Sequence, residues 1–102
     1  MAEDARLLGE AGSLLFGSGW HRALARALGP FHLDGARERA DDRLIRRWAC
    51  GARAVPSWAL EAAASLVAAE HARAAEVFPR YAEIVPRLRG AAAKEKHGED
   101  NR

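Results

Sequence analysis

The sequence predicts an all-α protein, a helical bundle with a long C-terminal helix. Three observations carry that expectation. Apolar residues recur every three to four positions along several stretches, the spacing of an amphipathic helix. Glycine and proline clusters, Gly17-Ser18-Gly19, Gly29-Pro30 and Gly51, cut those stretches apart. The 102 residues, 49% of them hydrophobic, suffice for one modest core and leave no room for a second domain.

The first helix is expected over Ala5 to Phe16, where Leu7, Leu8, Ala11, Leu14 and Leu15 form one stripe and Gly9 and Gly12 weaken it. After the Gly17-Ser18-Gly19 break, Ser18 is placed to cap a second helix from Trp20 to Leu28, with Trp20, Leu24, Ala27 and Leu28 on one face. Gly29-Pro30 ends it. Pro30 to Ala40 holds turn residues without sustained periodicity and reads as an extended loop. A third helix starts at Asp41-Asp42, whose carboxylates cap free N–H groups and complement the helix dipole, and runs through Cys50 to stop at Gly51. Its inner residues are Leu44, Ile45 and Trp48, and its outer ones Arg43, Arg46 and Arg47. Beyond the linker Ala52 to Pro56, an alanine-rich helix begins at Pro56 or Ser57 and extends to Phe78, where Pro79 interrupts it. Tyr81 to Leu88 adds a short helix around Pro86. Residues 1–89 thus form a single domain, and 90–102, rich in Lys, Glu, Gly and Ala, a flexible charged tail.

The formal net charge is only +2, yet it is unevenly spread. Residues 1–19 sum to −2, residues 20–53 to +4 and residues 54–102 to zero. All eight positive charges of the middle segment are arginines, whose planar fork suits phosphate oxygens and guanine edges better than the point charge of lysine. Cys50 stands alone, so no intramolecular disulfide is available, and it reads as a buried or incidental thiol. His21, His32, His71 and His97 are scattered without metal-ligand spacing, so no metal is expected. Asp41 and Asp42 sit where a helix start needs caps and are read as caps, not as catalytic carboxylates. With no phosphate loop, nucleophile elbow or His-Glu metal motif in view, the chain reads as a non-enzyme without a cofactor. An acidic start and the lack of a long apolar run point to a cytoplasmic protein with no membrane segment.

A helix-turn-helix needs a small residue where its helices cross, a turn former after the first helix, and apolar residues inside the second. Ala25, Gly29 and the Ile45/Trp48 pair supply these. The segment from Leu15 to Pro56 resembles the Cro and repressor-like helix-turn-helix proteins, in particular a short bacterial and prophage variant. The matching words are Leu15-Phe16-Gly17 before Trp20, then Leu24-Ala25-Arg26-Ala27-Leu28-Gly29, Leu44-Ile45-Arg46-Arg47-Trp48-Ala49-Cys50-Gly51 and Val55-Pro56-Ser57-Trp58. The chain departs from the usual motif in the longer connection, Pro30 to Asp41.

The resemblance implies a transcriptional regulator, a repressor or autoregulator of a phage or mobile-element operon. Trp20 to Leu28 would be the supporting helix, and Asp41 to Cys50 the recognition helix in the major groove. The expected DNA contacts are Arg43, Arg46 and Arg47 on the recognition helix, with Arg22, Arg37, Arg39 and Arg53 around it. Trp48 is assigned to the core by its spacing from Ile45, and Trp20 and Trp58 to the core or a subunit contact. The expected partner is double-stranded DNA with a palindromic operator. A homodimer is expected through the region after Pro56, where Trp58, Val67, Phe78, Tyr81 and Ile84 exceed what a small reading head can cover. The competing expectation is a phage-type inhibitor or adaptor that binds a protein through its alanine-rich helix.

Overall fold

The computed structural model describes residues 2–33, 35–74 and 80–100, and it is all-helical over that range. The order is α1 (Ala2–Phe16), α2 (Trp20–Leu28), a single 3₁₀ turn (Gly29–Phe31), α3 (Asp42–Ala49), α4 (Ser57–Ala74) and α5 (Arg80–Asp100). Helices α4 and α5 pack closely on each other; α1 lies against both and also against α2 and α3, so the core is continuous. No helix among the described residues is long and apolar enough to cross a membrane.

Leu7, Leu8 and Ala11 of α1 are buried, and Leu14 and Leu15 are half-buried, as their spacing requires. The glycines of α1 are more than weak points. A Cβ built on Gly12 would lie 2.4 Å from two ring atoms of Trp20, so the bare backbone there is the floor on which that indole rests. The cap expected from Ser18 is replaced: α2 starts after Gly19 in the left-handed region (φ 69°), with no side-chain cap. Asp4 is buried in the first turn of α1, where the helix dipole favours a carboxylate.

The C-terminal half corrects two expectations. Helix α5 does not stop near Leu88; it passes through Pro86 and continues to Asp100. The expected tail from Gly90 is therefore part of the helix, with Ala91 and Ala92 buried against α4 and α1. Ile84, Leu88, Ala91 and Ala92 form one stripe at helical spacing through the proline. Burying Ile84 and Leu88 contributes roughly 3–6 kcal/mol together, enough to offset the ~3 kcal/mol that a mid-helix proline costs. On the facing side Ala59, Leu60, Ala62, Ala63, Ala64 and Val67 of α4 are buried, and the small side chains let the two helices approach. The end of α4 expected at Phe78 and Pro79 lies outside the described residues.

Charged groups tie α1 to α5 at the surface. Glu3 pairs with Arg6, and Arg87 reaches Glu3 at 3.4 Å and Glu10 at 3.6 Å. The Arg6 guanidinium, with Arg87 behind it, holds the Glu3 carboxyl below its ordinary value, and Glu3 in turn raises Arg6. A lowered carboxyl supports the fold above the ordinary carboxylate range, and that support fades as pH falls through its own pKa. These groups are exposed, so the effect on stability is small.

Candidate nucleic-acid interface

Helix α3 is built for a fixed orientation. Asp41 is its N-cap, the carboxylate Oδ1 accepting from the backbone N–H of Arg43 at 2.9 Å. At the other end Gly51 turns left-handed (φ 82°) and donates to the Trp48 carbonyl, while the N–H of Ala52 reaches the Arg47 carbonyl at 2.9 Å. This is a Schellman ending, which satisfies carbonyls that the helix leaves open. Ile45 and Trp48 are fully buried and Leu44 half-buried, against α1 and α2. The opposite face carries Arg43, Arg46 and Arg47, all exposed.

The connection from α2 to α3 differs from the expected extended loop. Its first residues, Gly29–Phe31, continue as a 3₁₀ turn that includes Pro30, and Gly29 is right-handed (φ −49°), not a left-handed stop. Glycine is required there for space. A Cβ on Gly29 would lie 2.5 Å from the Arg39 Cα and 2.6 Å from the Arg37 carbonyl oxygen, because the returning strand of the connection runs directly over it. Two backbone bonds fix that return: Arg37 N–H donates to the Gly29 carbonyl at 2.9 Å, and Ala40 N–H to the Ala25 carbonyl at 2.7 Å. Ala40 is buried. The small Ala25 expected at the helix crossing is buried, and it also receives the connection.

A row of rings completes the anchoring. The Trp48 ring meets Trp58 of α4 edge-on at 5.9 Å, and Trp58 meets His32 of the connection at 4.9 Å. Helix α3, the start of α4 and the connection are thus joined through three aromatic side chains widely separated in sequence. Trp48 is a core residue as expected; of the two placed in either the core or a subunit contact, Trp20 is buried in the core and Trp58 is half-buried. His32, which had no assigned role in the sequence, is part of this row.

All eight arginines of residues 20–53 are exposed. Arg43, Arg46 and Arg47 share the outer face of α3. The Arg53 backbone is tied to the Arg47 carbonyl at 3.2 Å, which places it at the end of that helix. Arg37 and Arg39 are held beside the end of α2, which also carries Arg26, and Arg22 lies one turn earlier on α2. Among the described residues, Arg22, Arg26, Arg39, Arg43, Arg46, Arg47 and Arg53 make no side-chain ion pair; the pairs of Arg6 and Arg87 belong to α1 and α5. Cys50, read from the sequence as buried or incidental, is exposed at the C-terminus of α3, its thiol donating to the Arg47 carbonyl at 3.5 Å. No protein-family model matches the chain, and neither does any curated protein or solved structure.

Proposed function

We propose that the protein binds double-stranded DNA in a sequence-specific way and acts as a transcriptional regulator, a repressor of the phage or mobile-element kind, working in the cytoplasm. One observation supports this above the others: α3 is buried along Ile45 and Trp48, and it turns outward three exposed arginines that make no ion pair among the described residues. A solvated surface helix ordinarily mixes charges and pairs them at i,i+4 spacing. Here one sign dominates the exposed face, and Asp41 is engaged in capping. The pinned connection adds Arg37 and Arg39 beside α2, a position suited to phosphate contact that fixes orientation without reading sequence.

A pair of copies is part of this reading. Two recognition helices on one face of a duplex need centres about 34–36 Å apart, and the principal extents of one copy, 42 × 26 × 25 Å, allow that spacing side by side. Of the residues expected at a dimer contact, Val67 and Ile84 are buried within the chain, and Phe78 and the side chain of Tyr81 lie outside the described residues. Trp58 remains half-open after Pro56, with the 74% exposed Leu33 lining the same groove, and this is the surface for a second copy. The competing reading, a protein-binding module that uses the alanine-rich helix, has less to stand on because Ala59, Ala62, Ala63 and Ala64 are already covered.

The test is titration of the intact protein with duplex DNA at several salt concentrations. Binding should weaken with salt at a log-log slope of about −0.9 per phosphate contacted. Binding that is absent, or insensitive to salt, refutes the reading.

A further inference from the structure

The chemistry of the α3 face narrows what such a duplex contains. In the major groove guanine presents two acceptors, O6 and N7, side by side, and the two donors of an arginine fork match them. Adenine presents an acceptor beside a donor, which calls for a side-chain amide carrying both; cytosine presents a donor, which calls for a carboxylate. The chain contains no glutamine, and its single asparagine, Asn101, lies outside the described residues, next to the C-terminal residue. No lysine occurs before Lys94. On the α3 face the only carboxylates are Asp41, engaged at the N-cap, and Asp42, half-buried in the first turn. The donors available to base edges are therefore Arg43, Arg46 and Arg47, and among the described residues none of the three has an acceptor partner that would have to be given up.

Spacing adds a second constraint. Arg43 and Arg47 lie one turn apart, about 6 Å along the helix axis at 1.5 Å per residue, and consecutive bases on one strand rise about 3.4 Å. Two forks so placed meet bases roughly two steps apart. Resting on the duplex reading above, we infer that α3 is a guanine reader: each half-site has a core of about three base pairs holding at least two G·C pairs, contacted at O6 and N7 by arginines of α3. Adenine and thymine are then not selected by direct hydrogen bonding from this helix. Arginine's fork holds its two donors in a fixed plane, so lysine, which can also reach O6 and N7, reproduces the preference only in part.

The intact protein is used to select sequences from a random duplex pool. Duplexes of the selected sequence are then remade with 7-deazaguanine at the core guanines, with inosine at the same positions, or with 7-deazaadenine at flanking adenines. Selection should give a G·C core. Removing guanine N7 should weaken binding at least about fivefold, the lower end for breaking a bidentate pair. Inosine, which lacks only the minor-groove amino group, and 7-deazaadenine should leave affinity unchanged. Arg46→Lys and Arg47→Lys keep the charge at exposed positions; together they should keep the salt slope and weaken, without abolishing, the preference for the G·C core. Salt-dependent, selective binding to an A·T core, or indifference to 7-deazaguanine, overturns the guanine inference and leaves the duplex reading standing. Failure to bind any duplex overturns both.

Discussion

Gly12→Ala tests the packing on which the position of α2 depends. The added Cβ would lie 2.4 Å from Cδ2 and Cε3 of Trp20 and 2.9 Å from Cγ, so the indole has to retreat by about 1 Å to restore ordinary contact. It has little room to do so, being 9% exposed and stacked on His21 at 4.0 Å. Overpacking of this kind costs about 1–3 kcal/mol, and alanine's helix preference returns about 0.5–1. The expected net loss is about 1–2 kcal/mol, a fall in melting temperature of roughly 4–8 °C for each kcal/mol in a domain of this size. Gly9→Ala is the internal control, because its Cβ would stand 3.6 Å from the Trp20 ring, an ordinary contact. That variant should gain the ~0.5–1 kcal/mol of helix preference without the clash. Thermal unfolding followed by circular dichroism should therefore rank Gly9→Ala above the natural protein and Gly12→Ala below it. In a Trp20→Leu background, with the ring gone, Gly12→Ala should no longer be harmful. If Gly12→Ala melts at or above the natural protein, the reasoning about Trp20 and the α1–α2 packing is wrong.

Arg46→Ala and Arg47→Ala should each weaken binding to a selected duplex by about 1–3 kcal/mol with an unchanged melting temperature; binding equal to the natural protein in both would remove α3 from the interface. Arg37→Ala with Arg39→Ala should lower affinity alike for selected and random duplexes and make the salt slope shallower by about 0.9 for each phosphate no longer neutralised, and an unchanged slope would return both to solvent. In Gly29→Ala the new Cβ meets only backbone, so the connection must lift off α2. Limited trypsin digestion should then cut after Arg37 and Arg39 faster than in the natural protein, an outcome that a simple core defect with equal cutting would refute. Light scattering at tens of micromolar should give a dimer, and Trp58→Ala with Leu33→Ser a monomer; a monomeric natural protein rejects the paired reading.

Much of α3 was legible because its determinants are local. The three-residue step from Ile45 to Trp48 selects the buried face, Asp41 is the right residue before a helix, and Gly51 the right one after it. The start of α4 at Ser57, right behind Pro56, was legible for the same reason. What escaped is settled between elements distant in sequence. Gly29 looks like a helix stop, yet its need for glycine comes from Arg37 and Arg39 passing over it. The composition after Gly90 is that of a solvated tail, but Ala91 and Ala92 extend the stripe of Ile84 and Leu88, and α4 is there to cover it. The contacts of His32, Trp48 and Trp58 have no periodic signature, since each residue comes from a different element. Which arginines face outward could be read from helical spacing; that the connection is held in place could not.

That last point bears on what the long connection between α2 and α3 contributes. Ordering one residue of free backbone costs about 1–2 kcal/mol, so a slack loop of this length would lose much of any phosphate contact to its own ordering. Here the cost is met in folding: Gly29 admits the returning strand, the Arg37 and Ala40 N–H groups fasten it, and the His32 ring joins the row that also holds Trp48. The backbone that carries Arg37 and Arg39 is consequently set relative to α3 before any partner arrives. A connection that served as a spacer alone would gain nothing from being fastened at its base to the same helix pair that presents Arg43, Arg46 and Arg47. On the proposed duplex reading, the fastened connection would extend the surface of α3, its arginines fixing the register on the phosphate backbone while those of α3 read within it.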